Sequence, residues 1–314
     1  FCLSRGPADV YRLRLATFPE TTLNRRARLC DMGGALAARE ALVELAHESG
    51  LDAPPVIGLQ PLSEYGWYDP KDSVVTTLPD GDAPLAVIVF YRSYLTAADT
   101  GSIDALIHAM RERGFRAVGL FASSLKAPKV ADWVRQALQT SHASVLINAT
   151  AFSSRGKDGT SPLDAPGCPV FQVALSTARR CDWVTADRGL SPADLAMHVV
   201  LPEVDGRIFA GVVSFKSTDV RDPQLQFSRQ IHQPDTECVT AVADRVVAWH
   251  RLAAAPPAER RLVFILSTYP GRPDQMAHAV GLDALASTDA ILTDLRQAGY
   301  TVSSNPQPVA RALQ

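Results

Sequence analysis

The sequence predicts an α/β fold: a flavodoxin- or Rossmann-like parallel sheet with flanking helices, followed by an incomplete second α/β unit. Three observations predict it. Four short apolar runs read as strands buried on both faces: AVIVFY at 86–91, AVGLF at 117–121, SVLI at 144–147 and VFQVA at 170–174. Helical segments at 103–113 and 129–139 lie between the first three runs. Gly114 stops the first helix, and Pro128 suits the first turn of the second. Alternation of this kind implies parallel βαβ units, whose ligands bind beyond the carboxyl ends of the strands.

In chain order, residues 1–84 form an N-terminal segment that is partly irregular. Residues 25–48 read as one helix, rich in Ala and Leu and stopped by Gly50. Residues 61–84 carry Tyr65, Gly66, Trp67, Tyr68, Pro70 and Pro79-Asp80-Gly81, which reads as loop with exposed aromatics. The α/β domain spans 85–256. Within it, residues 153–168 (SSRGKDGTSPLDAPGC) form a polar loop after the third strand. Ser191 caps a short helix with Pro192 in its first position, residues 197–201 read as an apolar strand, and 238–254 as a helix. After Pro256-Pro257, residues 257–314 begin a second α/β domain: a strand at 262–266 (LVFIL), a helix at 286–298 and a strand from Tyr300. That is too little for an independent core.

Composition narrows the function. Of the 314 residues, 46% are hydrophobic and 20% charged, and the net charge is −2, which gives no electrostatic reason to bind nucleic acid or anionic lipid. No apolar run reaches the roughly 20 residues of a membrane span. The five cysteines are widely spaced with no CxxC pair, as expected of reduced thiols in the cytoplasm. No GxxxxGK[ST], GxSxG or HExxH element occurs, so P-loop ATP hydrolysis by this chain is not expected. Phe1 in place of Met suggests a piece of a longer polypeptide.

Several segments in fixed order carry a family resemblance: Phe90-Tyr91-Arg92-Ser93, Asp104-Ala105-Leu106-Ile107, Ser123-Ser124-Leu125-Lys126, Asn148-Ala149-Thr150-Ala151-Phe152, Leu190-Ser191-Pro192-Ala193-Asp194-Leu195-Ala196-Met197 and Ala279-Val280-Gly281-Leu282-Asp283. The most specific is Leu201-Pro202-Glu203-Val204-Asp205-Gly206-Arg207-Ile208, followed by Ser214-Phe215-Lys216. From about residue 85 onward the chain resembles the cobaltochelatase large-subunit family, whose relatives include the magnesium chelatase H subunit. It departs from the family pattern at Ser267-Thr268-Tyr269-Pro270 and at His278.

The resemblance implies a tetrapyrrole-binding subunit that inserts cobalt, as substrate metal, into hydrogenobyrinic acid a,c-diamide in cobalamin biosynthesis. It also implies an AAA+ ATPase partner with its companion subunit, which would bind ATP and magnesium in place of this chain. Two alternatives stand beside it: a magnesium chelatase H-type subunit acting on protoporphyrin IX, and a non-catalytic ligand- or partner-binding α/β module.

Metal insertion needs the macrocycle gripped, its two inner N–H protons removed and a hydrated cation stripped and passed in. Carboxylates and imidazoles suit the last two steps, and Arg and Lys suit the acidic edge. Glu203 and Asp205, two apart after the strand at 197–201, would point to one face at a strand end. With His198 they are the catalytic candidates, and Glu203 and His198 the candidates for relaying the metal. Arg92, Asn148 and Thr150 follow strands, and with Lys216 and His278 they are the substrate-binding candidates. Lys216 would reach an acidic ligand edge or pair with Glu203. The remaining histidines, His232 among them, read as helix-face or loop residues.

Overall fold

A computed structural model describes residues 20–302, apart from 33, 60, 61, 188, 219, 225, 268–276 and 278–280. The chain divides into two compact units, Phe1–Val247 and Ala248–Gln314.

The first unit is built on an eight-stranded sheet in the order β2-β1-β4-β3-β5-β6-β7-β8. The strands are β1 Tyr65–Asp69, β2 Ser73–Val75, β3 Leu85–Tyr91, β4 Arg116–Ala122, β5 Val145–Asn148, β6 Val170–Leu175, β7 Ile208–Thr218 and β8 Gln230–Pro234. β4, β3, β5, β6 and β7 run parallel; β1, β2 and β8 are antiparallel additions at the two edges. Counted from β3, the parallel strands follow the flavodoxin-like order 2-1-3-4-5, with the topological switch between β3 and β5.

The four apolar runs are the four central strands. Every residue of β5 and β6 is buried, as is all of β3 up to Tyr91, because helices cover both faces. On one face Phe90, Ile147 and Phe171 pack against Ile103, Leu106 and Met110 of helix Gly101–Glu112 and Val239, Val242 and Val246 of helix Thr236–Ala254. On the other, Val87, Val89 and Leu120 pack against Val130, Val134 and Leu138 of helix Pro128–Ser141.

Several expectations are corrected. Residues 65–75 are two edge strands, and Trp67 and Tyr68 are buried. Gly66 is what admits Phe121: a Cβ there would lie 2.8 Å from Phe121 Cζ. The single helix expected over 25–48 is two, Glu20–Met32 and Gly34–Glu48. Residues 197–201 belong to a helical run, and β7 and β8 were not foreseen as strands.

In the second unit, helix Ala284–Gln297 is capped by Asp283, whose side chain accepts from the Ala286 N–H. Residues 262–266 and 300–302 form no strand. Val263 and Ile265 are exposed.

Candidate functional site

The crossover from β6 to β7 is a helical run: Pro192–Leu195, a π-helical turn at Ala196–Val200, and Leu201–Val204. Ser191 starts it, its hydroxyl accepting from the Asp194 N–H at 3.0 Å. The run buries Asp194, His198 and Pro202 on one side, and Asp205 just past its end. Glu203 is exposed, and no described residue hydrogen-bonds or ion-pairs with its carboxylate. Glu203 and Asp205 therefore do not share a face. In a helix, residues two apart diverge, whereas the strand geometry would have aligned them. Nor does Glu203 lie at a strand's carboxyl end. The segment enters β7 at Ile208, opposite Phe171 near the start of β6.

Asp205 anchors the loop that follows β5. Its carboxylate accepts from Ser153 Oγ at 2.7 Å, Ser154 N at 2.6 Å and Ser154 Oγ at 3.0 Å, and Arg155 Nε lies 3.5 Å away. Arg207 is buried beside it and pairs with Asp164 at 2.5 Å. These contacts engage both oxygens of the Asp205 carboxylate in holding the chain together.

A second polar cluster lies toward the carboxyl ends of the strands. Asp194, fully buried, accepts from Ser176 Oγ at 3.1 Å, Thr177 N at 2.9 Å and Thr177 Oγ1 at 3.0 Å. His198, one helical turn on, is buried with Nδ1 lacking a hydrogen-bond partner among the described residues. Burial lowers its pKa below the ordinary 6.5, against the pull of the Asp194 charge. His232 lies within electrostatic reach of both. Its ring sits 3.4 Å from Ser214 Oγ, edge-on to Tyr94 at 5.8 Å, and on β8 opposite Lys216. Burial, then the Lys216 charge, pushes its pKa down to about 4. Sequence reasoning passed over His232 and Asp194. The alternation of β8 was a legible sign for the histidine, but five residues make a weak signal.

The remaining candidates are spread out. Asn148 and Thr150 are buried at the β3/β5 switch. Asn148 donates to Gln172 Oε1 at 2.7 Å, and Thr150 Oγ1 donates to Asn148 Oδ1 at 2.8 Å. Tyr91 donates to the Ala151 carbonyl nearby at 2.7 Å. Arg92 turns away to the carbonyls of Ser63 and Leu62, at 2.9 and 3.0 Å. It lines a cleft of about 470 Å³ with Arg25, Arg28, Leu29 and Glu40. Lys216 Nζ lies 3.9 Å from Asp99 and makes no pair with Glu203. His278 lies outside the described residues. Among the described residues no group of three or more His, Cys, Asp and Glu side chains is placed to hold a metal ion. His198 and Glu203, one buried and one exposed on the same helical run, do not converge as a metal pair.

The model of the CobN/Magnesium Chelatase family matches residues 33–313. This chain belongs to that family. The aerobic cobaltochelatase subunit CobN of Sinorhizobium sp. is 37% identical over 228 residues, covering 72% of this chain and 18% of the relative. The chloroplastic magnesium-chelatase subunit ChlH of Oryza sativa subsp. indica is 25% identical over 269 residues, covering 80% and 18%. The catalytic subunit of cobaltochelatase from Mycobacterium tuberculosis superposes with a TM-score of 0.71 at 25% identity, covering 94% of this chain and 24% of that one. The chain thus spans about a fifth of the length of these CobN/Magnesium Chelatase relatives. No helix among the described residues is long and apolar enough to cross a membrane.

Proposed function

We propose that this chain is part of the tetrapyrrole-binding large subunit of a cobaltochelatase, in which Glu203 is the accessible base for metal insertion. The stronger likeness to CobN than to ChlH, 37% against 25% identity, supports cobalt over magnesium as the substrate metal. The single observation that carries the role of Glu203 is its contrast with its neighbours. In the Leu201–Ile208 segment Asp205 is locked by its donors, while Glu203 stands in solvent with its carboxylate unengaged by any described residue. A free carboxylate is the group that can take a pyrrole N–H proton and lend an oxygen to an incoming divalent cation.

Energy for the insertion comes, on this reading, from an AAA+ ATPase and its companion subunit in the cytoplasm. Hydrogenobyrinic acid a,c-diamide is the macrocycle. The test is cobalt insertion into hydrogenobyrinic acid a,c-diamide by the full-length parent protein, with ATP and the partner subunits. ATP-dependent loss of the free macrocycle's absorption supports the reading. A parent that neither binds the macrocycle nor consumes it contradicts it.

A further inference from the structure

An amphipathic helix in a globular protein turns its apolar stripe inward and its polar stripe to water. The run from Pro192 to Val204 does the reverse. Asp194 and His198 are buried, while Leu195, Val200, Leu201 and Val204 are 45%, 48%, 39% and 72% exposed. The π turn at Ala196–Val200 helps to hold this arrangement. At 3.6 residues per turn, the eight steps from Asp194 to Pro202 would drift by about 80°. A wider turn between them keeps both on the buried side.

A second observation lies on the neighbouring loop. Phe152 has φ +68°, a left-handed conformation that non-glycine residues seldom adopt, and the residue is 48% exposed. Its N–H donates to the Met197 carbonyl at 2.8 Å, so the strained residue is tied to the helical run. The same loop carries two exposed cations, Arg155 and Lys157, and Arg155 is drawn to the helix end by Asp205. Glu203, three residues after Val200, belongs to the outward stripe.

We infer that this face, formed by Val200, Leu201, Val204 and Phe152, receives the flat apolar surface of a tetrapyrrole, with Arg155 and Lys157 taking its acidic edge. The inference rests on the functional reading above and adds where the macrocycle lies. Charge complementarity selects the occupant: a flat apolar ligand with an acidic rim matches an apolar stripe flanked by cations. It also brings the inner N–H protons toward Glu203.

The experiment titrates the full-length parent protein with hydrogenobyrinic acid a,c-diamide, following quenching of protein fluorescence, for wild type, Phe152→Gly and Val204→Asp. Both variants are expected to bind at least about tenfold more weakly, the loss that follows from removing or charging an apolar contact of this size. Phe152→Gly relieves the backbone while removing the ring, so its Tm should be unchanged or higher, which separates lost contact from lost fold. Binding by the wild type with unchanged affinity in both variants overturns the inference and leaves the functional reading standing. Variants that abolish self-association in sedimentation, with affinity unchanged, also overturn it and make the face a contact between copies. A wild-type parent that binds no macrocycle removes the functional reading, and this inference with it.

Discussion

The Asp205 carboxylate grips Ser154 twice, accepting its backbone N–H at 2.6 Å and its hydroxyl at 3.0 Å across 51 positions of sequence. That contact joins the loop after β5 to the start of β7, and it makes Asp205 a structural member of the segment in which Glu203 is free. Replacing Asp205 by Asn removes the charge from these bonds and from the approach of Arg155. Hydrogen bonds to charged groups contribute about 1.5–3 kcal/mol, so Asp205→Asn should lower unfolding stability by roughly that amount. Urea denaturation measures it. An unchanged midpoint would mean the loop is held elsewhere.

The pH dependence of stability follows from His198 and His232. Both have folded pKa values below the ordinary 6.5, His198 through burial and His232 through burial and then Lys216. The unfolded chain therefore takes up protons before the folded one does. Their stabilising contribution is complete above about pH 6.5, and that of His232 is lost progressively down to its folded value of about 4. Asp235, held below its ordinary 3.8 chiefly by Arg180, loses its contribution only in more acid solution. Denaturation midpoints between pH 7.5 and 4.5 should fall, and His232→Asn should flatten the slope. The charged and titratable groups facing His232 are Lys216, Asp99, Tyr94, Asp194 and His198, and none of them is altered in that variant.

Asn148 is expected to behave as a residue of the core. Its amide supplies the buried Gln172 Oε1 with a donor at 2.7 Å and accepts from Thr150. Asn148→Ala leaves buried polar atoms unsatisfied, at about 1–3 kcal/mol, so the transition should shift to lower denaturant. A variant as stable as wild type would show that the Gln172 amide repacks.

The central sheet was legible because β3 to β6 are continuous apolar runs, a pattern that a strand buried on both faces imposes directly. The crossover helix was not legible for the opposite reason. Its buried side carries Asp194 and His198 and its outer side carries Val200, Leu201 and Val204, so the apolar residues of 197–201 read as a strand. That error placed Glu203 and Asp205 on one face of a strand end. The early aromatics misled similarly: Trp67 and Tyr68 flank glycine and proline as loop residues do, yet Gly66 and Gly119 are the gaps into which Phe121 and Tyr68 fit. His232 was missed because its surroundings are assembled from Tyr94, Ser214, Lys216 and Asp99, which only the fold brings together.

The most direct test is the rate of cobalt insertion by Glu203→Gln in the full-length parent protein, with ATP and the partner subunits, beside its affinity for the macrocycle. Gln keeps the size of the side chain and loses its basicity and charge. General-base contributions run to about 10²–10⁴-fold, so insertion should fall by that order while affinity stays near that of wild type. Insertion at a near-normal rate would contradict the assignment of Glu203 as the base, and equal losses in binding and insertion would make it a residue of the binding surface instead.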